Sequence, residues 1–132
     1  MTPLDIISAH LELSIDEISA ILHEADYVSF RLEMNIDQLY EERMDTELNG
    51  DQITMVEGRC FRMVPQTPLS LIIVRLGGFP EANMRRVLNA CNAVAFVMSD
   101  SFQQWFTDEH YDASLEDWDF TEDEIRAALV GI

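Results

Sequence analysis

The stretch that decides the fold class runs from Leu69 to Trp105 and reads LSLIIVRLGGFPEANMRRVLNACNAVAFVMSDSFQQW. Its first eight residues form an almost unbroken apolar run, which is typical of a strand that is buried on both faces. Gly77 and Gly78 end that run. We therefore predict a strand over residues 69–76, followed by a turn.

After the turn, apolar residues recur at alternating steps of four and three, the spacing of one face of an α-helix. Pro80 and Glu81 favour a helix N-terminus there. Arg85 and Arg86 interact unfavourably with the dipole at that end, so a carboxylate from elsewhere in the fold would offset their cost. We predict one long amphipathic helix over about residues 80–105. Its apolar face comprises Met84, Leu88, Cys91, Ala95, Met98, Phe102 and Trp105.

Upstream of the strand, two short segments alternate apolar and polar residues on either side of Glu57-Gly58. We interpret residues 52–56 and 59–64 as a β-hairpin. Together with the third strand, they predict a small antiparallel sheet of about three strands within residues 52–76. The predicted fold class is α+β, with this sheet packed against the long helix. Acidic helices lie at the N- and C-terminal ends, and residues 1–132 form a single domain.

Four further helices are predicted, because each has a capping residue or a capping box at its start. The capping residues are Thr2, Ser14, Asn35 and Thr121, and Asn49-Gly50 is interpreted as the end of the third helix. Residues 27–34 fit both a strand and a continued helix, so both interpretations remain open. The four helices cover about residues 3–11, 15–24, 36–49 and 122–130.

Charge is the most unusual feature of the composition. The net charge is −17, no lysine occurs, and the acids concentrate at both ends. Residues 1–57 carry 14 acids against two arginines, and residues 107–132 carry nine acids against Arg126. A field of this sign repels phosphate and attracts basic surfaces. We therefore expect no direct binding to nucleic acid or to a membrane, and we expect a basic protein as partner, in particular one that itself binds nucleic acid.

The motifs of common enzymes are absent from the sequence. It contains no glycine-rich phosphate loop and no nucleophile elbow, so we predict neither an enzyme nor a bound cofactor. The best group of metal-ligand types is His110 with Asp108, Glu109 and Asp112, but acidic loops without a fixed spacing bind metals only loosely. We predict no metal site.

The two cysteines and the N-terminus indicate a compartment. Cys60 and Cys91 have apolar neighbours and are interpreted as buried free thiols of a reducing environment. The N-terminus lacks a secretory signal, and no apolar stretch approaches the ~20 residues that cross a bilayer. We expect a cytoplasmic protein.

The most distinctive candidate site is the acidic-aromatic stretch over residues 106–125. In one interpretation its aromatic residues attach a solvated segment to the core. In the other, its carboxylates face basic residues of a partner and its aromatic residues contribute the strongest contacts. The predicted partner-binding residues are Asp108, Glu109, Asp112, Glu116, Asp117, Trp118, Asp119 and Glu122.

Two weaker similarities concern other parts of the chain. Residues 11–32 resemble the two-helix core of helix-turn-helix proteins, although Glu24, Asp26 and Glu33 lie where a DNA reader needs neutral or basic groups. The passage from Leu69–Gly78 to Phe79–Ala93 is similar to the central strand and helix of small acidic secretion chaperones. This second similarity implies a partner segment bound in an apolar groove.

Two hypotheses for function follow. The favoured one is a small acidic, non-catalytic inhibitor or immunity-type protein that blocks a basic, nucleic-acid-binding partner by mimicking the charge of nucleic acid. Anti-restriction and anti-CRISPR proteins are examples of this anti-defence class. The alternative is a secretion-chaperone-like or adaptor protein, monomeric or homodimeric, that binds a partner segment through an apolar groove.

Overall fold

The computed structural model describes residues 1–58 and 66–132, and within these ranges it contains helices and no strand. The predicted α+β fold with an antiparallel sheet is therefore wrong, and the described chain is all-helical. The helices are α1 (Pro3–Leu11), α2 (Ile15–Arg31), α3 (Ile36–Gln38, followed by a π-helical turn over Leu39–Arg43), α4 (Gly50–Glu57), α5 (Pro68–Arg75), α6 (Glu81–Val97), α7 (Phe102–Thr107) and α8 (Glu122–Ala128). Two 3₁₀ turns, His110–Asp112 and Leu115–Asp117, connect α7 to α8.

The apolar run that was predicted to be a strand forms helix α5. Thr67 and Ser70 exchange hydrogen bonds at its start, with the Thr67 hydroxyl accepting from the Ser70 amide at 3.1 Å and the Ser70 hydroxyl accepting from the Thr67 amide at 2.8 Å. Pro68 occupies the first helical position, where its fixed φ angle suits a helix. This local capping signal outweighs the strand preference of Ile72, Ile73 and Val74.

The first strand of the predicted hairpin is also helical. Asn49 caps α4 by accepting from the Gln52 amide at 2.9 Å, and the Gln52 side chain accepts from the Asn49 amide at 3.0 Å. Gly58 ends the helix with φ +76°, a conformation that glycine adopts without strain. Asn49 therefore starts a helix, whereas we had interpreted it as the end of one. The second predicted strand, residues 59–64, lies outside the described residues.

The predicted helix over residues 36–49 is much shorter than expected. Asn35 caps it as predicted, but regular α-helix gives way to the π-helical turn at Leu39, and the chain is no longer helical beyond Arg43. Backbone bonds to other segments take over from there. The Met44 carbonyl accepts from the Leu69 amide at 3.1 Å, and the Leu48 amide donates to the Gln66 carbonyl at 2.8 Å.

The predicted long helix over residues 80–105 is broken into α6 and α7. Ser99 adopts φ +62°, and its amide and that of Asp100 donate to the Phe96 and Ala95 carbonyls, which closes a Schellman motif. Ser101 then caps α7. The apolar face was correctly identified, because all seven predicted residues are at most 5% exposed. The break turns the chain without removing any of them from the core.

The helices near the two ends of the chain are closer to expectation. The capping boxes at Thr2, Ser14 and Thr121 are all formed, and α1 and α8 follow them. Helix α2 continues past Glu24 to Arg31, so most of the ambiguous stretch over residues 27–34 is helical. Because α2 is continuous, the similarity to a two-helix DNA-binding core does not hold. The strand implied by the similarity to secretion chaperones is likewise replaced by α5.

The buried side chains of the described residues form one continuous cluster. Trp105 lies within it fully buried, with its indole N–H 3.3 Å from the Met98 sulfur. Cys91 is a buried free thiol, as predicted, and burial strongly raises its pKa; Cys60 lies outside the described residues. In residues 1–58 and 66–132, no helix has the length and apolar character needed to cross a bilayer.

Two alanine substitutions distinguish helix from strand at residues 68–75. Val74 is 50% exposed, so Val74→Ala should leave the free energy of unfolding unchanged or raise it by up to about 0.5 kcal/mol, since alanine favours helix. Ile72 is fully buried, and Ile72→Ala should lower it by about 2–5 kcal/mol. Urea denaturation followed by circular dichroism measures both. Equal losses for the two variants would instead indicate a strand buried on both faces.

Candidate protein-binding surface

The predicted binding residues lie on the segment that connects α7 to α8, which we call the acidic segment (residues 108–122). It leaves the core after Thr107, passes through the two 3₁₀ turns and ends at the start of α8. Its backbone is tied to the N-terminus, because the Leu115 amide donates to the Met1 carbonyl at 3.0 Å. The segment is thus held at both ends and near its middle.

Aromatic and apolar side chains attach the acidic segment to the core. Phe106, Tyr111 and Leu115 are all less than 10% exposed. Tyr111 stacks on Phe106 with ring centroids 5.3 Å apart, and it meets the edge of Trp105 at 5.9 Å. Aromatic pairs of this kind add about 0.5–1.5 kcal/mol beyond the area that they bury. These side chains therefore attach the segment to the core, and binding of a partner by its carboxylates stays a prediction.

The same attachment leaves the carboxylates outside. Six of the seven predicted carboxylates are exposed, and within the described chain none of the six forms an ion pair. The pKa of the Tyr111 hydroxyl is raised, mainly by burial and to a lesser extent by the negative charges of Glu109 and Asp112. The eighth residue, Glu122, differs because it is half-buried and lies 3.1 Å from Arg126. The six exposed carboxylates are Asp108, Glu109, Asp112, Glu116, Asp117 and Asp119.

Trp118 is the only predicted aromatic residue of the site, and it is 36% exposed. Its ring meets the His110 ring edge-on at a centroid distance of 4.5 Å. The His110 Nδ1 atom is hydrogen-bonded to the Asp100 carboxylate, in the turn between α6 and α7. Asp100 and His110 thus connect Trp118 to the break in the long helix.

The His110 contact also bears on the group of metal-ligand residue types around it, for which we predicted no metal site. His110 pairs with Asp100 and not with Asp108, Glu109 or Asp112, its neighbours in sequence. Across residues 1–58 and 66–132, no group of three or more His, Cys, Asp and Glu side chains is placed to hold a metal ion.

Some acids of the N-terminal half are in a different situation, which the sequence did not reveal. Arg75 lies 2.5 Å from Glu24 and 3.8 Å from Glu57, and its guanidinium covers the Tyr27 ring at 4.1 Å. Arginines of the central segment therefore compensate part of the N-terminal charge inside the fold.

Arg85 acts in the same way. It lies 2.5 Å from Asp45 and 3.2 Å from Glu81. Asp45 is the carboxylate from elsewhere in the fold that we expected near the start of α6. The hydrogen bond from Arg85 lowers the pKa of Asp45. The acidic segment has no comparable arginine within the described residues apart from Arg126.

Sequence reasoning missed a groove between α2, α3, α4 and α7, which we call the Phe30 groove. Its volume is about 710 Å³, and its lining includes Phe30, Met34, Met55 and Gln103. It lies where α2 ends and α3 begins. Because residues 27–34 were left open between strand and helix, the exposed position of Phe30 was not predictable.

Comparison of the chain with protein-family models, curated proteins and solved structures found no match.

The contact of His110 with Asp100 and Trp118 yields a spectroscopic prediction. In protein labelled with 5-fluorotryptophan, His110→Ala should shift the ¹⁹F resonance of Trp118, because the ring loses its neighbour and becomes more exposed. The resonance of buried Trp105 should stay in place. Asp112→Asn, which removes a nearby exposed charge, serves as control, and Trp118→Phe assigns the signals. An unchanged Trp118 resonance in His110→Ala would contradict the described contact.

Proposed function

We propose that this protein is a non-catalytic inhibitor or immunity-type protein that binds a basic, nucleic-acid-binding protein through the acidic segment. The observation that supports this proposal is the set of six exposed carboxylates, none in an ion pair within the described residues, on a segment anchored by buried aromatic side chains. The carboxylates occupy the place of nucleic-acid phosphates on the partner. We expect the protein itself to bind neither nucleic acid nor membrane.

Electrostatics favours this segment over the other acidic regions. In the N-terminal half, Glu24, Glu57 and Asp45 contact arginines, and Asp37 accepts hydrogen bonds from two backbone amides. Their charge is partly used to stabilise the fold. The charge of the acidic segment is available to a partner, and charges of one sign on a surface accelerate association with an oppositely charged protein.

Anchoring contributes to affinity as well as to position. A disordered acidic tail loses conformational entropy when a partner orders it, which weakens binding. In this protein the segment is already ordered in the folded chain, by the stacking of Phe106 on Tyr111 and by the hydrogen bond from Leu115 to Met1. Binding a partner therefore does not have to order it. Trp118, partly exposed among the carboxylates, offers the kind of aromatic contact that often dominates binding energy.

Two charge-matched triple variants test the proposal. The first combines Glu116→Gln, Asp117→Asn and Asp119→Asn in the acidic segment. The second combines Asp16→Asn, Glu41→Gln and Glu47→Gln, which are exposed in the N-terminal half and form no ion pair among the described residues. Both remove three charges, so a general effect of net charge would weaken binding equally.

Basic partners are first captured from native lysate, and their affinity is then measured by titration calorimetry. We expect the first variant to bind at least about tenfold more weakly and the second within about twofold of the wild type. Duplex DNA should compete with the wild-type protein, and affinity should fall steeply with salt. Equal losses for both variants, or an absence of DNA competition, would refute the proposed role of the acidic segment.

A further inference from the structure

The Phe30 groove combines an exposed aromatic ring with flexible apolar neighbours. Phe30 is 73% exposed although it lies on α2, whose other face is fully buried. Met34 and Met55 line the groove beside it. Methionine side chains adapt their shape to different apolar surfaces at little cost, and they are frequent at surfaces that bind varied peptides. The groove therefore offers an adaptable apolar floor.

Hydrogen bonds hold the walls of this groove in place. Arg31 donates from Nε to the Met55 carbonyl at 2.7 Å, which joins α2 to α4. Gln103 donates to Asp26 at 3.1 Å and accepts from the Ile36 amide at 2.9 Å, which joins α7 to α2 and α3. The groove is thus pre-formed by fixed helices, and only its lining side chains need to adjust to a ligand.

The groove continues along the surface beyond the end of α2. A second depression of about 290 Å³ shares Glu33, Met34 and Gln38 with it and extends to Leu48. Because the two depressions adjoin, a peptide segment could contact both, and a peptide is the ligand that we consider for them. Their shared part lies at the turn where Glu33 ends α2 in the left-handed conformation.

Charge indicates the kind of segment that fits. Asp26 and Glu33 contribute carboxylates to the groove, and Arg31, the one cation among its described lining residues, already donates to the Met55 carbonyl. The adjoining depression adds one residue of each sign, Glu42 and Arg43. The whole molecule adds a field of net charge −17. A basic side chain is favoured beside these carboxylates, whereas an acidic one is repelled.

We propose that the Phe30 groove binds an amphipathic segment of a partner protein, with apolar side chains on Phe30, Met34 and Met55 and a lysine or arginine beside Asp26 or Glu33. Apolar contact supplies the affinity, and the carboxylates select a basic segment over an acidic one. This site is separate from the acidic segment, and the proposal does not depend on the function assigned to that segment.

The test uses a fluorescein-labelled amphipathic helical peptide of about 14 residues, four turns, made of leucine and lysine. A leucine–glutamate peptide of the same pattern is the control ligand. Binding is followed by fluorescence anisotropy at about 0.05 M and about 0.5 M NaCl, since high salt screens exposed charges. We expect the lysine peptide to bind at both salt concentrations and the glutamate peptide not to bind.

Substitutions then locate the site. Phe30→Ser should weaken binding of the lysine peptide at high salt by about tenfold or more. The matched control is Phe96→Ser, because Phe96 is 80% exposed and lies on α6, outside the groove. It should change affinity by less than about twofold. Both residues are exposed, so neither substitution should impair folding, and circular dichroism verifies this.

Three outcomes would overturn the groove proposal. The first is loss of binding at high salt, which would indicate charge attraction alone. The second is an equal effect of Phe30→Ser and Phe96→Ser. The third is loss of peptide binding in the triple variant of Glu116, Asp117 and Asp119, which would place the peptide on the acidic segment. Peptide binding that is weakened by Phe30→Ser and unchanged in the triple variant would support the groove proposal, independently of whether the acidic-segment proposal holds.

Discussion

The arrangement of both candidate surfaces depends on a reciprocal exchange of hydrogen bonds between α3 and α7. The Asp37 carboxylate accepts from the Phe102 and Gln103 amides at 2.9 and 3.1 Å, and the Gln103 side chain accepts from the Ile36 amide at 2.9 Å. These bonds satisfy helix-start amides that otherwise lack partners. They fix the direction of α7, and α7 in turn supplies one wall of the Phe30 groove and the starting point of the acidic segment.

The charge distribution explains how a chain of net charge −17 stays compact. The arginines of the central segment reach the acids of the N-terminal half, as Arg75 does with Glu24 and Glu57 and Arg85 does with Asp45. These ion pairs contribute to the stability of the fold, because losing Arg75 would leave two half-buried carboxylates without a compensating charge. Within the described residues the acidic segment has only Arg126 as a comparable arginine, so its exposed carboxylates stay without such compensation.

Capping chemistry was the most reliable guide from sequence to structure. The caps at Thr2, Ser14, Asn35 and Thr121 predicted four helix starts correctly, whereas the capping boxes at Asn49 and Thr67 went unrecognised beside apolar runs that favour strands. Helices α4 and α5 have eight residues each, about two turns, which is too short for a period of 3.6 to be distinguished from a period of 2. The break after α6 was not predictable from Ser99, since the left-handed residue that ends a helix is more often glycine. At the candidate site, the exposure of the carboxylates followed from their chemistry, but the Phe30 groove depends on tertiary packing of α2, α4 and α7.

Crowded carboxylates also change what salt should do to binding and to stability. In the free protein, neighbouring charges such as Glu116, Asp117 and Asp119 repel one another, and the anchors at Phe106, Tyr111 and Leu115 hold them together against that repulsion. A basic partner would relieve the repulsion and add attraction, so both terms would favour the proposed complex. Salt screens both terms, and it should therefore stabilise the free fold while it weakens the proposed complex through the acidic segment. The binding proposed for the Phe30 groove would rely on apolar contact, which salt does not weaken in this way. The two proposed surfaces should thus differ in their response to salt, because one uses the excess charge of the chain and the other mainly uses apolar side chains that the fold leaves exposed.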